Sequence, residues 1–446
     1  MKRMEQFRDP KLSIWQSAVD EVITGKAITA QAPAGPAPTV PPRPDTAHPM
    51  VQEAVSYCSA VGGDTSFKQI AAAPALPGGI LQTLGYCSTA ALKLAKAAIL
   101  HNQQDYEATL NEIGKFTPCD PLYIEAAAKY VEYFIAQGKK VPYRLYKNLS
   151  DFVIEGKLPT KARVAILGDW GTGEEAARKV LQQIAAKKPD VVIHLGDVYY
   201  SGTEFEDQSY FYQPWTAILN LGETKIPTFT LSGNHDMYSG GVGYYKLIDQ
   251  LGQPASYFCL RNDDWQFLAM DTGLHDSNPA EMGSAATYLE NTELAWHVDK
   301  MKNAGRRRTV LLSHHPLFSA YEAIDGHEIN MRLQPQVFDF LPNVALWLWG
   351  HEHNFIVYGP LGRLQRGRCL GHGAFPVGVD EVPSAPVFSN VPLITKDASG
   401  KSINLGVTEG LYDHGYAIMD LNGASGTIAY FQDTDEQNPL FAETIS

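Results

Sequence analysis

The chain is 446 residues long with a formal net charge of −13, too long for one ordinary domain and too acidic to hold nucleic acid or an anionic membrane through a general positive field. Hydrophobic residues make up 44% and charged ones 19%, the balance of a soluble globular protein in which any phosphate must be held locally. Cys58, Cys87, Cys119, Cys259 and Cys369 are odd in number, widely spread and never spaced Cys-x-x-Cys, which suggests neither a disulfide framework nor a thiolate zinc site and reads as mostly buried, reduced thiols.

The start, Met1 to Pro10, carries basic side chains with no apolar stretch behind them; no secretory signal is visible, and a cytoplasmic location is expected. Residues 11–27 read as a short amphipathic helix, and Thr29 to Pro49 is dense in Ala, Pro and Thr, the composition of a tether. From Met50 to about Leu158 apolar residues recur at helical spacing, as in Ala90 to His101 and Leu122 to Ile135. Gly78 to Leu100 is the most apolar segment, but Lys93 and Lys96 interrupt it, so it reads as a buried helix and no integral membrane segment is expected. Residues 1–158 are thus expected to form a helical domain with a tether near 29–49, open as an element for docking, capping or oligomerisation.

At Lys161 the texture changes to short β-rich runs followed by helix-like stretches: Arg163 to Leu167, Val191 to Leu195, Thr228 to Leu231, Val310 to Leu312 and Val344 to Trp349. Strand, loop and helix in repetition predict a largely parallel layered α/β core over 159–446, with its chemistry on loops beyond the carboxyl ends of strands. Tyr416 to Leu421 and Thr427 to Phe431 alternate about a turn beginning Asn422-Gly423 and should complete a sheet.

The strand ends read Gly168-Asp169-Trp170-Gly171, Gly196-Asp197-Val198-Tyr199-Tyr200, Gly233-Asn234-His235-Asp236, Ser313-His314-His315-Pro316 and Gly350-His351-Glu352-His353. Carboxylate and amide oxygens mixed with imidazoles suit first-row ions such as iron, manganese and zinc, whereas calcium wants oxygens alone. A bridging carboxylate with ligands for two ions is the composition of a two-metal hydrolytic centre.

These five blocks, in this order, resemble the signature of the calcineurin-like metallophosphoesterase superfamily over about Lys161 to Asp380. Most members carry Asp-x-His in the first block; here it is Asp169-Trp170-Gly171, with Tyr200 in the second, which resembles the purple acid phosphatase branch. The resemblance implies a layered αββα sandwich. It also implies one ion held by Asp169, Asp197, Tyr200 and His353 and another by Asn234, His314, His351 and the bridging Asp197, with iron beside zinc, manganese or a second iron. A phenolate favours a trivalent ion and Asn with two His a divalent one, so the site should be asymmetric. His235 is expected to stabilise the transition state or protonate the leaving group, with Asp236 orienting it.

Other histidines read as structural. His194 lies inside an apolar strand, His315 yields to His314 as the member of a His-x-Pro pattern, and His372 is as readily a turn residue as a pocket residue; His275 and His327 are weaker. The insert Glu204 to Trp215 divides evenly between a substrate-contacting lip and a packed surface loop. The resulting expectation is a phosphomonoesterase acting on a small-molecule phosphate ester. The alternatives are a phosphodiesterase or phosphotriesterase on the same centre, or a scaffold that keeps the fold without turnover.

Overall fold

The computed structural model describes residues 133–134, 138–219, 225–277, 286–379, 385–408 and 410–445. Nearly all of the helical part expected over 1–158, its tether included, lies outside them. The chain divides into two compact units, Met1–Lys140 and Val141–Ser446, so residues 141–158, which composition grouped with the helices, belong to the second unit. There the Tyr143 hydroxyl donates to Glu293 at 2.8 Å and Trp296 Nε1 to the Asp151 carbonyl at 3.0 Å. A segment that contributes so short a strand leaves no periodic trace in the sequence.

The second unit runs β1 (Val153–Ile154), β2 (Lys161–Leu167), α1 (Glu175–Ala186), β3 (Val191–His194), α2 (Gln213–Leu219), β4 (Thr228–Thr230), α3 (Asn234–Tyr238) and α4 (Val242–Leu251). It continues with β5 (Phe258–Arg261), β6 (Trp265–Ala269), α5 (Asn291–Lys302), β7 (Arg308–Ser313), α6 (Leu333–Val337), β8 (Val344–Trp349), β9 (Phe355–Val357) and β10 (Gly367–Leu370). The short pair β11 (Val407–Thr408) and β12 (Leu411–Tyr412) precedes β13 (Gly415–Asn422), β14 (Ser425–Gln432) and β15 (Phe441–Ile445).

Two sheets face each other, ordered β1-β5-β6-β7-β8-β10-β9 and β15-β14-β13-β2-β3-β4. Their site-bearing centres are parallel, β2 to β4 in one and β6, β7, β8, β10 in the other, while β9 and β13 to β15 pair antiparallel and β5 pairs parallel with β1 and antiparallel with β6. The sheets are therefore mixed rather than largely parallel. Val164, Ile166, Ile193, Phe267, Leu312, Leu348 and Met419 fill the space between them. The outer face of the first sheet packs Leu311, Trp347 and Trp349 against Trp296 of α5, and that of the second packs Ala165, Leu167 and Val192 against α1. This is the four-layer αββα arrangement.

In α1 the buried residues Ala177, Val180, Leu181 and Ile184 recur at one helical face. Leu181→Ala would cost about 2–5 kcal/mol, since the cavity cannot collapse against a sheet. Burial of the central strands on both faces explains why Val191–His194 reads as an unbroken apolar run.

Candidate metal centre

All five polar blocks lie just beyond the carboxyl ends of β2, β3, β4, β7 and β8. Asp169, Asp197 and His351 take positive φ angles of 55°, 75° and 69°, conformations that cost L-residues energy and cluster where function demands a side chain at a fixed angle. Gly233 must be glycine, because a Cβ there would sit 1.9 Å from Asp197 Oδ1.

On one side four atoms converge. His314 Nε2 lies 3.1 Å from Asn234 Oδ1 and 3.3 Å from Asp197 Oδ2, and His351 Nδ1 lies 3.1 Å from Asn234 Oδ1 and 3.3 Å from His314 Nε2. Two of these groups are oriented from behind. His314 Nδ1 lies 3.0 Å from the Leu195 carbonyl, which fixes the proton there and leaves Nε2 a lone pair. Asn234 Nδ2 donates to the Tyr238 hydroxyl at 2.6 Å, turning Oδ1 inward. Acceptors facing acceptors at this range repel unless a cation or proton lies between them. Desolvation pulls the His314 pKa down, but the Asp197 carboxylate outweighs it and raises it to about 9; this is the same demand for positive charge.

On the other side, Asp169 Oδ1 lies 3.5 Å from His353 Nε2 while Asp169 Oδ2 accepts the His351 amide at 2.9 Å. The phenol here belongs to Tyr199, which the sequence reading passed over for Tyr200. The Tyr199 hydroxyl donates to Asp169 Oδ1 at 3.0 Å and lies 2.8 Å from His353 Nε2. Tyr200 instead sends its carbonyl to His235 Nδ1 at 2.7 Å, its amide to Glu206, and its ring against His235 and Phe375. Sequence counting from Asp197 cannot see which of two adjacent tyrosines a loop turns inward. Ligand atoms of Asp169, Asp197 and His353, and those of His314, His315 and His351, lie within 4.8 Å of one another in each group.

His235 sits between the two sides. Its amide donates to Asp197 Oδ1 at 3.1 Å, its Nδ1 meets the Tyr200 carbonyl, and its ring lies 4.6 Å from that of Tyr199. Nε2 is therefore the nitrogen left to act. Asp236 is a brace and not an orienter of His235: its carboxylate accepts the amides of Gly233 at 2.7 Å, Asp197 at 3.0 Å and Val198 at 3.3 Å. Burial beside Asp197 pushes its pKa up to about 8, against the pull of the backbone donors.

The remaining histidines divide as follows. His194 is a core residue, with Nδ1 at 3.0 Å from Thr230 Oγ1 and a pKa lowered by burial to about 3. His315 spends both nitrogens on Thr272 and Asp276, at 3.1 Å and 3.0 Å, supporting the centre from below. His372 is buried beside Phe355, His275 stacks on Tyr288, and His327 pairs through its backbone with Ile324. The insert is packed: Phe211 and Trp215 stack at 4.4 Å inside the α1 layer, and Glu206 caps Ser201 and Thr203. Cys259 and Cys369 are buried free thiols.

Sequence reasoning missed Phe375, whose ring lies 3.9 Å from that of His353, and the buried set Ser232, Asp271 and Glu293 behind Asn234. None carries a motif; each is brought to the site only by the fold.

Comparison with known proteins gives the same picture. The calcineurin-like phosphoesterase family profile matches residues 162–355, the span holding all five blocks. The chain is 28% identical over 174 residues to the glycerophosphodiester phosphodiesterase GpdQ of Enterobacter lignolyticus, covering 38% of this chain and 57% of that protein. To the 3',5'-cyclic adenosine monophosphate phosphodiesterase CpdA of Escherichia coli it is 25% identical over 166 residues, covering 37% of this chain and 54% of that protein. The chain thus spans about half the length of the curated relatives it matches. Among solved structures, GAP50, the anchor in the inner membrane complex of Plasmodium, is 14% identical with a TM-score of 0.43, covering 64% of this chain and 89% of its own. A dimetal phosphatase from Danio rerio is 11% identical with a TM-score of 0.41, covering 64% and 98%. It is through the segment 162–355, with its five strand-end blocks, that the chain is similar to the calcineurin-like phosphoesterase family.

Proposed function

We propose that this chain hydrolyses phosphate esters at a centre for two cations, bridged by Asp197. The observation that carries this reading is the convergence of His314 Nε2, Asn234 Oδ1, His351 Nδ1 and Asp197 Oδ2 with lone pairs facing one another. Iron with zinc, manganese or a second iron suits a donor set that mixes carboxylates, imidazoles, an amide and a phenol. Cations bound there would supply Lewis-acid charge and a water of lowered pKa.

The residues of the chain would do the rest. Asp169 with His353, and Asn234 with His314 and His351, hold the two sides of the pocket at fixed distance, so an ester phosphate between them is oriented before reaction. His235 Nε2, with Nδ1 anchored on Tyr200, is placed to hydrogen-bond a phosphoryl oxygen or give a proton to the departing alcohol. A phosphomonoesterase of purple acid phosphatase type is the finer reading, supported by a phenol beside Asp169. A diester specificity is the second reading, favoured by the two phosphodiesterases to which the chain is similar over 174 and 166 residues.

The test is elemental analysis with a panel of aryl mono-, di- and triesters. Metal with turnover supports the hydrolase and the panel separates its types; metal-free wild type that resists loading, with no turnover, contradicts it. For the purple branch, iron loaded under air should give a visible charge-transfer band that survives Tyr200→Phe and disappears in Tyr199→Phe. A band unaffected by Tyr199→Phe removes that phenol from the ligand set.

A further inference from the structure

Phe375 and His353 are both half-buried, while Tyr199 and Tyr200 beside them are buried. Phe375 stacks on His353 with ring centroids 3.9 Å apart and an interplanar angle of 23°, and packs against Tyr199 at 4.9 Å. The amides of Ala374 and Phe375 donate to the Asp169 carbonyl at 3.1 Å and 3.2 Å, so the ring is fixed to the end of β2 rather than carried on a free loop. Tyr199 touches Phe375 on one side and His235, at 4.6 Å, on the other, which places the leaving-group side of the pocket and the Phe375 ring along one rim. Tyr200, with its ring 6.5 Å from Phe375, continues that rim.

The geometry points to Phe375 as a specificity-determining wall that receives a planar aromatic alcohol moiety of the ester. This rests on the hydrolase reading above. An ester whose leaving oxygen faces His235 has its alcohol portion directed along Tyr199 toward Phe375. An aryl group there gains ring contact in a pre-organised aromatic setting, whereas a short alkyl group leaves it unused. A ring that served only to hold His353 would treat all esters alike.

Phenyl esters leave more readily for intrinsic reasons, so rate alone is a poor probe and binding is the better one. Metal-loaded protein is titrated calorimetrically with phenylphosphonate and methylphosphonate at an alkaline pH above the second ionisation of both, where they carry the same charge on the same phosphonate group. Wild type should prefer the phenyl compound by roughly three- to tenfold. Phe375→Leu, which keeps apolar bulk without a planar face, should lose that preference, and Phe375→Tyr should keep it, with metal content measured for each. An equal affinity of wild type for both compounds, or a preference unchanged in Phe375→Leu, overturns the assignment. So does loss of metal from Phe375→Leu with the preference intact in the loaded fraction, since the ring would then serve His353 alone. Absence of binding by either phosphonate, with no ester turned over, instead overturns the hydrolase reading itself and this inference with it.

Discussion

The two sides of the centre are built differently. The Asn234 side is the more deeply held: Asn234 and His314 are buried, with His351 half-buried beside them, and the first two are aimed by partners behind them, Tyr238 and the Leu195 carbonyl. The Asp169 side is open at His353, whose side chain is 24% exposed and is held by a phenol and a stacked Phe375. The difference teaches that one half of a bridged site can be rigid enough to set geometry while the other faces the substrate and adapts.

Asp197 belongs to both halves, and its substitution is the largest expected effect. Asp197→Ala should abolish hydrolysis and remove both ions together; one tightly retained ion with near-wild-type turnover would break the idea of a shared carboxylate. His235→Ala separates chemistry from assembly: metal content should hold while the rate falls by about 10²- to 10⁴-fold. The defect should shrink for good leaving groups, and an identical defect across leaving groups would favour electrostatic support over proton donation.

Tyr238→Phe sharpens the comparison, because it frees the Asn234 amide without touching the open side. A loss of about 10- to 100-fold in affinity for one of the two ions is expected, read by competition with a chelator. Equal weakening of both ions would mean the halves are not independently braced.

Behind the Asn234 side, Glu293 receives the Asp271 amide and the Tyr143 hydroxyl, and Asp271 in turn receives Ser232 Oγ, next but one to Asn234. Burial pushes Glu293 up to about 8 and Asp271 up to about 6. Carboxyls with raised folded-state pKa hold protons that the unfolded chain releases, so their stability contribution is full below pH about 4 and is lost as pH rises through the folded values. Thermal melts from pH 5 to 8.5 should therefore show a decline that Glu293→Gln flattens by about 2–4 °C. An unchanged slope would remove Glu293 from the proton balance.

Much of this was legible in the sequence. The strand-end blocks mark themselves because a buried parallel strand must be apolar, so the first polar residue after it stands out, and Asp169, Asp197, Asn234, His314, His351 and His353 do converge. What was not legible depends on direction rather than position. Tyr199 and Tyr200 differ only in which way the loop turns, and Asp236 looks catalytic until three amides are seen to claim its oxygens. Strands β5 and β6 escaped because neither ends in one of the polar blocks and the buried Gln266 interrupts the apolar run of β6. Phe375 arrives through backbone bonds to Asp169 from a loop with no motif.

The central claim, two cations sharing Asp197, is tested most directly by counting them. Metal-free wild-type protein is reloaded with manganese or zinc, passed through gel filtration, and measured for metal per chain alongside hydrolysis of an aryl phosphate. Two ions per chain, with hydrolysis restored only as the second is taken up, is the result this structure predicts. A single ion at full activity, or full activity with none, would contradict it.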